Sequence, residues 1–237
     1  MTNHSDGLQE RLAEVHLRIA RAATRAGRAV NEVQLIAVSK THPVQIVRDA
    51  IAAGVTDLGE NRVQEAKSKI MDVGRNAARW HLIGHLQSNK ARRAVQLFDV
   101  IHSIDSIELA RKLDGACKDV SRTALPILIQ IDLGHEATKS GVGEQELPSL
   151  IDALKQCRHL QLTGLMMLPP FFEDAELTRP FFVKLRRLRD EYQARGAFGD
   201  TTGELSMGMT HDFEVAIEEG ATMVRIGTAL FGERENH

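Results

Sequence analysis

The chain has 237 residues, 43% of them hydrophobic, and a formal net charge of −2. That suits one large α/β domain or two small ones, and it excludes a global basic field for nucleic acid or a membrane surface. Cys117 and Cys157 stand far apart with no CxxC or Cys/His spacing, and no apolar run approaches the roughly 20 residues that cross a bilayer. The cysteines read as free thiols of a reducing compartment. The polar start "MTNHSDGLQERL" lacks the apolar centre of a signal peptide, so a cytoplasmic location is expected.

Leu8 to Gly27 predicts a helix, with Leu12, Val15, Leu17 and Ile19 among its apolar positions and Gly27 at its end. Short apolar runs then alternate with helical patterns. The runs are "QLIAVS", "VTDLGE", "WHLIGH", "VIHSID", "PILIQIDL", "LTGLMML", "ELSMGM" and "MVRIGT". The intervals carry "VQIVRDAIAAG", "NRVQEAKSKIMD", "NKARRAVQLF", "SIELARKLDGACKD", "EQELPSLIDALKQC", "AELTRPFFVKLRRLRDEYQARG" and "DFEVAIEEG". Several runs are apolar throughout, as parallel strands covered on both faces are. No linker divides the chain. The pattern predicts a single (β/α)8 TIM barrel over residues 1–237, with an extra N-terminal helix. The alternative is an open doubly wound sheet, which has fewer strands and a Gly-rich first turn; here that turn is "SKTHP".

Barrel active sites lie at the carboxyl ends of the strands. That rule selects Lys40, Asn61 in "GEN" and His85 in "GHLQSNK", followed by "HSID", "DLGHEATKSG", "MMLPP", "SMGMT" and "RIGTA". After strand seven, Ser206, Gly208 and Thr210 offer hydroxyls and a close backbone approach. Gly227 and Thr228 offer the same after strand eight, where barrels often hold a phosphate. Arg225 is two residues before Gly227, so both share a strand face and the arginine points into the barrel mouth, where it needs an acceptor. An amine facing a phosphate cradle is the logic of pyridoxal 5'-phosphate (PLP), bound as a Schiff base at one end and by its phosphate at the other. An arginine at the pyridine nitrogen cannot accept its proton, which leaves the ring a mild electron sink.

The segments "AVSKTHP", "LGENRVQEA", "WHLIGHLQSNK", "HSIDS", "EATKSGV", "GLMMLPP" and "LSMGMTHDFEVAIEEGATMVRIGTALFG", in this order, resemble the YggS/PROSC family of PLP homeostasis proteins over nearly the full chain. The resemblance implies the barrel of fold-type III PLP enzymes, with PLP as a covalent aldimine on Lys40. It implies that Ser206, Gly227 and Thr228 hold the phosphate and that Arg225 faces the pyridine nitrogen. Asn61 and His85 match positions near the cofactor. Two residues depart from the family pattern: His211, where a small or acidic residue is expected, and Asp132, where asparagine is common. The implied function is PLP homeostasis and supply, by a monomer with PLP-dependent apo-enzymes as recipients and without efficient turnover. The alternative is a racemase of the alanine racemase type. Such enzymes pair a lysine with a tyrosine from a second domain; here the chain ends soon after its last strand, and its sole tyrosine, Tyr192, falls in a helical pattern.

Plainer readings stand beside these. Taken alone, Lys40 also reads as a solvated strand end, Ser206 and Thr228 as turn residues, and Arg225 as the partner of Glu204; the motifs together favour the site reading. Asn61 with Gln64 fits a capping box. His81 and His85 have i,i+4 spacing, but on a strand they lie about 13 Å apart, too far for one metal ion. "SNKARR" and "KLRRLR" read as solvated helix faces rather than nucleic-acid sites, and "GVGEQE" lacks the third glycine of a dinucleotide fingerprint.

Overall fold

The computed structural model describes residues 4–134 and 140–232. Residues 136–139 of the "EATKSGV" motif and the terminal "ERENH" therefore lie outside the described residues. Helix α1 (His4–Arg25) precedes eight strand–helix steps. These are β1 (Gln34–Val38), α2 (Val44–Ala52), β2 (Asp57–Glu60), α3 (Val63–Val73), β3 (Arg79–Leu82), α4 (Ala91–Leu97), β4 (Val100–Ile104) and α5 (Ile107–Asp119). They continue as β5 (Leu125–Ile131), α6 (Leu147–Leu154), β6 (Leu160–Met167), α7 (Arg179–Ala194), β7 (Glu204–Met209), α8 (Phe213–Glu218), β8 (Met223–Ile226) and α9 (Thr228–Phe231). The strands close in sequence order into a barrel, and β8 pairs in parallel with β1.

The predicted strands are all present, and the differences lie at boundaries. Helix α1 starts before Leu8. It ends where Gly27 turns to φ +66, with the Arg28 N–H bonded to the Ala23 carbonyl at 2.9 Å, a left-handed stop that glycine adopts without strain. The patterns before α4 and α7 begin as 3-10 turns, Ser88–Lys90 and Ala175–Thr178. Pro180 then sits in the first turn of α7, where its missing N–H has no partner to lose. The residues after the last strand, where the sequence pattern shows no helix, form the short α9.

Each strand buries one face against the helices and one inside the barrel. Leu58, Ile101, Ile129, Leu165 and Val224 belong to the layer between strands and helices. Each such side chain contributes about 1.5–3 kcal/mol by leaving water. The barrel interior is split. Val100, Leu128 and Met166 form a small apolar cluster, while Asp57, His81, His102, Ser206 and Arg225 are buried polar residues from β2, β3, β4, β7 and β8.

Two glycines shape the barrel mouth. At Gly84 a Cβ would lie 2.4 Å from the Asn61 carbonyl oxygen, so the loops after β2 and β3 touch only because no side chain intervenes. At Gly208, φ is +90 and a Cβ would lie 2.6 Å from the Cβ of Ala216. Here β7 carries an extra residue: Ser206 pairs with Met223 but Met209 with Arg225. A bulge of this kind re-aims the strand end. The basic stretch of α7 is paired: Arg186 with Glu219 at 2.9 Å, Arg189 with Asp190 at 2.6 Å, and Lys184 with Glu144. Among the described residues no helix is long and apolar enough to cross a membrane. Both cysteines are free, and burial pushes the Cys117 thiol up to about 11.

Candidate functional site

A cavity of about 550 Å³ opens at the carboxyl ends of the strands, within the range that holds small cofactors. Lys40, Asn61, His85, Arg225, Gly227 and Thr228 all line it. Lys40 is half-buried in the turn after β1, next to Thr41 at φ +66. Gly227 and Thr228 open α9 directly after β8. Thr210, carried to the mouth by the β7 bulge, accepts from the Ala229 N–H at 3.4 Å, which ties the two loops together. His85 projects from the rim with Nδ1 3.1 Å from Asp105 Oδ2.

Three sequence expectations change. Asn61 does not cap α3: the cap position is Arg62, and no side chain bonds the helix there. Asn61 lines the cavity beside Gly84 instead. Arg225 does not pair with Glu204, which accepts from the Thr222 hydroxyl. Ser206 is fully buried and absent from the cavity lining. Its hydroxyl is enclosed by Arg225 and His102, so Thr210, just after β7, supplies the hydroxyl that borders the cavity there. Of the two departures from the family pattern, His211 lines the cavity, with Nε2 2.9 Å from the Glu173 carbonyl and its ring 5.6 Å from that of Phe171. Asp132 holds the Gly134 N–H at 3.2 Å.

Arg225 is fixed from inside the barrel. Its Nη2 donates to the Met167 carbonyl at 2.8 Å and its Nη1 to Ser206 Oγ at 2.6 Å. Ser206 Oγ lies 2.9 Å from His102 Nδ1. Beyond that, His102 Nε2 meets His81 Nδ1 at 2.9 Å, and His81 Nε2 meets Asp57 Oδ1 at 2.9 Å. Burial holds both imidazoles neutral, and with the Asp57 carboxylate accepting only, that sets every proton in this row. Arg225 donates to Ser206, Ser206 to His102, His102 to His81, and His81 to Asp57. Burial lowers the pKa of His81, and Asp57 only partly offsets it; burial lowers that of His102 well below the usual range. Burial also pulls Arg225 down to about 10, against the opposing charge of Asp212, so it remains a cation and a pure donor at neutral pH.

The sequence reading missed Asp57, His81 and His102 as a group. Their signal was present: each is an acid or a histidine within a predicted strand run, on three successive strands. His81 and His85, four residues apart, part company: one lies in the barrel interior and one at the rim.

Residues 12–235 match the family described as alanine racemase, N-terminal domain. A pyridoxal phosphate homeostasis protein of Aquifex aeolicus is 42% identical over 226 residues, covering 95% of this chain and 98% of that protein. The protein of that name from Escherichia coli is 41% identical over 231 residues, covering 94% and 95%. The structure of PipY from Synechococcus elongatus with PLP bound is 39% identical, with a TM-score of 0.82 over 95% of this chain and 100% of that one. Alanine racemase from Corynebacterium glutamicum shares the fold at 19% identity and a TM-score of 0.69, over 97% of this chain and 61% of that one. A closed parallel barrel with a lysine at the end of its first strand, matched over nearly its whole length by these relatives, belongs to the family of pyridoxal phosphate homeostasis proteins.

Proposed function

We propose that the protein binds PLP in this cavity through an imine to Lys40 and serves to hold and supply it rather than to turn over amino acids. The observation that carries this reading is the cavity itself: an amine, a backbone loop fit for phosphate and a cationic donor border one space of about 550 Å³. The residues fit the group. Gly227 and Thr228 offer main-chain N–H groups and a hydroxyl beside Thr210. Arg225 offers N–H groups and no acceptor. The name of the relatives and the PLP in the Synechococcus structure support the same ligand.

When bound, PLP supplies an aldehyde for amines and a ring that withdraws electrons. This chain's residues restrain that chemistry. Arg225 cannot accept a proton from the ring nitrogen, so the ring is a weak sink. Tyr192, the only tyrosine in the sequence, is buried on α7 in the outer core and does not line the cavity. It therefore cannot act as the second base of a racemase, a role worth roughly 10²–10⁴ in rate. We propose further that the protein works as a cytoplasmic monomer that passes PLP to apo-enzymes.

The test is reduction of the purified protein with borohydride and mapping of the modified peptide by mass. A yellow protein with reduced pyridoxyl phosphate on Lys40 is expected, and Lys40→Ala should lose the colour while melting at an unchanged temperature. A colourless protein that takes up no added PLP would overturn the ligand. Efficient racemisation of alanine would overturn the storage role.

A further inference from the structure

Lys40 sits between two residues that are tied down from α3. Lys69 Nζ donates to the Ser39 carbonyl at 2.6 Å, to Glu60 Oε1 at 2.7 Å and to Glu65 Oε1 at 2.8 Å. The Ser39 hydroxyl donates to Glu60 Oε1 at 2.6 Å, and the Thr41 N–H donates to Glu65 Oε1. Glu60 and Lys69 are buried; Glu65 is partly exposed. None of the three lines the cavity; they hold the chain on either side of Lys40.

The turn needs such a tie. Thr41 has φ +66, a left-handed conformation that a β-branched residue rarely adopts. An untied Thr41 would relax toward negative φ and rotate the Lys40 backbone with it. The three donors of Lys69 are all used within the cluster, so its charge is committed to structure rather than to a ligand.

We propose that the Glu60–Lys69–Glu65 triad is a positioning device that holds the Lys40 amine in line with the PLP aldehyde. The inference rests on the reading of Lys40 as the imine-forming lysine. In the step concerned, the neutral Lys40 amine would add to the aldehyde carbon, the C=O bond would give way to a C=N bond, and the oxygen would leave as water carrying the two protons of the amine. The triad contributes no proton to that step; it fixes the direction of approach.

The experiment uses the full chain. Glu65→Ala removes the acceptor of the Thr41 N–H but keeps the buried Glu60–Lys69 pair. Two quantities are measured: the rate of imine formation with PLP, by visible absorbance, and the affinity for pyridoxine 5'-phosphate, which has ring and phosphate but no aldehyde. Imine formation should slow about tenfold or more while pyridoxine phosphate affinity stays within about twofold. Thr41→Gly added to Glu65→Ala should restore most of the rate, because glycine holds φ +66 without support. An unchanged rate in Glu65→Ala, an equal loss for both ligands, or a double variant as slow as the single would each overturn the positioning role. If the unmodified protein forms no imine on Lys40, the reading beneath this one falls instead.

Discussion

Lys40 and Arg225 border the same cavity but are held in opposite ways. Arg225 ends a row of neutral groups across the barrel interior, with charge only at its two ends, Arg225 and Asp57. Lys40 rides on a turn with a left-handed threonine, tied to a buried ion pair. The neutral middle of that row costs little desolvation and breaks one hydrogen bond at a time. A buried ion pair carries a large desolvation penalty, repaid only while both partners remain. The two sides of one cavity should therefore fail differently.

The most damaging change falls on the Lys40 side. Lys69→Met leaves the Glu60 carboxyl, whose pKa burial already raises against the pull of Lys69, without its partner. A loss of about 3–5 kcal/mol is expected in urea unfolding. The pair Glu60→Gln with Lys69→Met removes both charges and should lose much less. Equal losses in the two variants would mean that packing, not charge, makes that side sensitive.

On the Arg225 side, His102→Phe should lose about 1–3 kcal/mol, because it strands the Ser206 hydroxyl and one nitrogen of His81. The same row predicts a pH dependence. Burial depresses both histidine pKa values in the fold. As pH falls below about 6.5 the unfolded chain takes up protons that the folded row refuses. Stability is thus full above that pH and is lost below it, by up to about 1.4 kcal/mol per pH unit for each histidine. Urea unfolding at pH 7 and pH 5 measures the loss, and His102→Phe should shrink it. A surface pair supplies the control: Lys184→Ala breaks a half-exposed contact with Glu144 and should shift stability by less than about 1 kcal/mol.

The strands were legible because each is a short apolar run bounded by turns, and a closed parallel barrel buries both faces of every strand. Boundaries were less so. "WHLIGH" reads as one strand, but β3 stops at Leu82, just before Gly84 gives way to the Asn61 main chain. Lys40, Gly227 and Thr228 were legible as strand-end residues, since position along a barrel strand sets which ones reach the mouth. Ser206 was misplaced because the bulge at Gly208 hands the mouth to Thr210, and a bulge leaves no mark in hydrophobic periodicity.

By itself, the sequence determined the number and order of strand–helix units, the end of the barrel that carries the chemistry, and the lysine, arginine and glycine-threonine loop that meet there. Those follow from local pattern, since alternation and strand ends are written within a few residues. The tertiary structure alone decided who touches whom across the barrel: that Arg225 reaches Asp57 through Ser206, His102 and His81, and that Lys69 ties the residues flanking Lys40. Such contacts join strands distant in the chain. Their partners are chosen by closure and register, which no local window of residues contains.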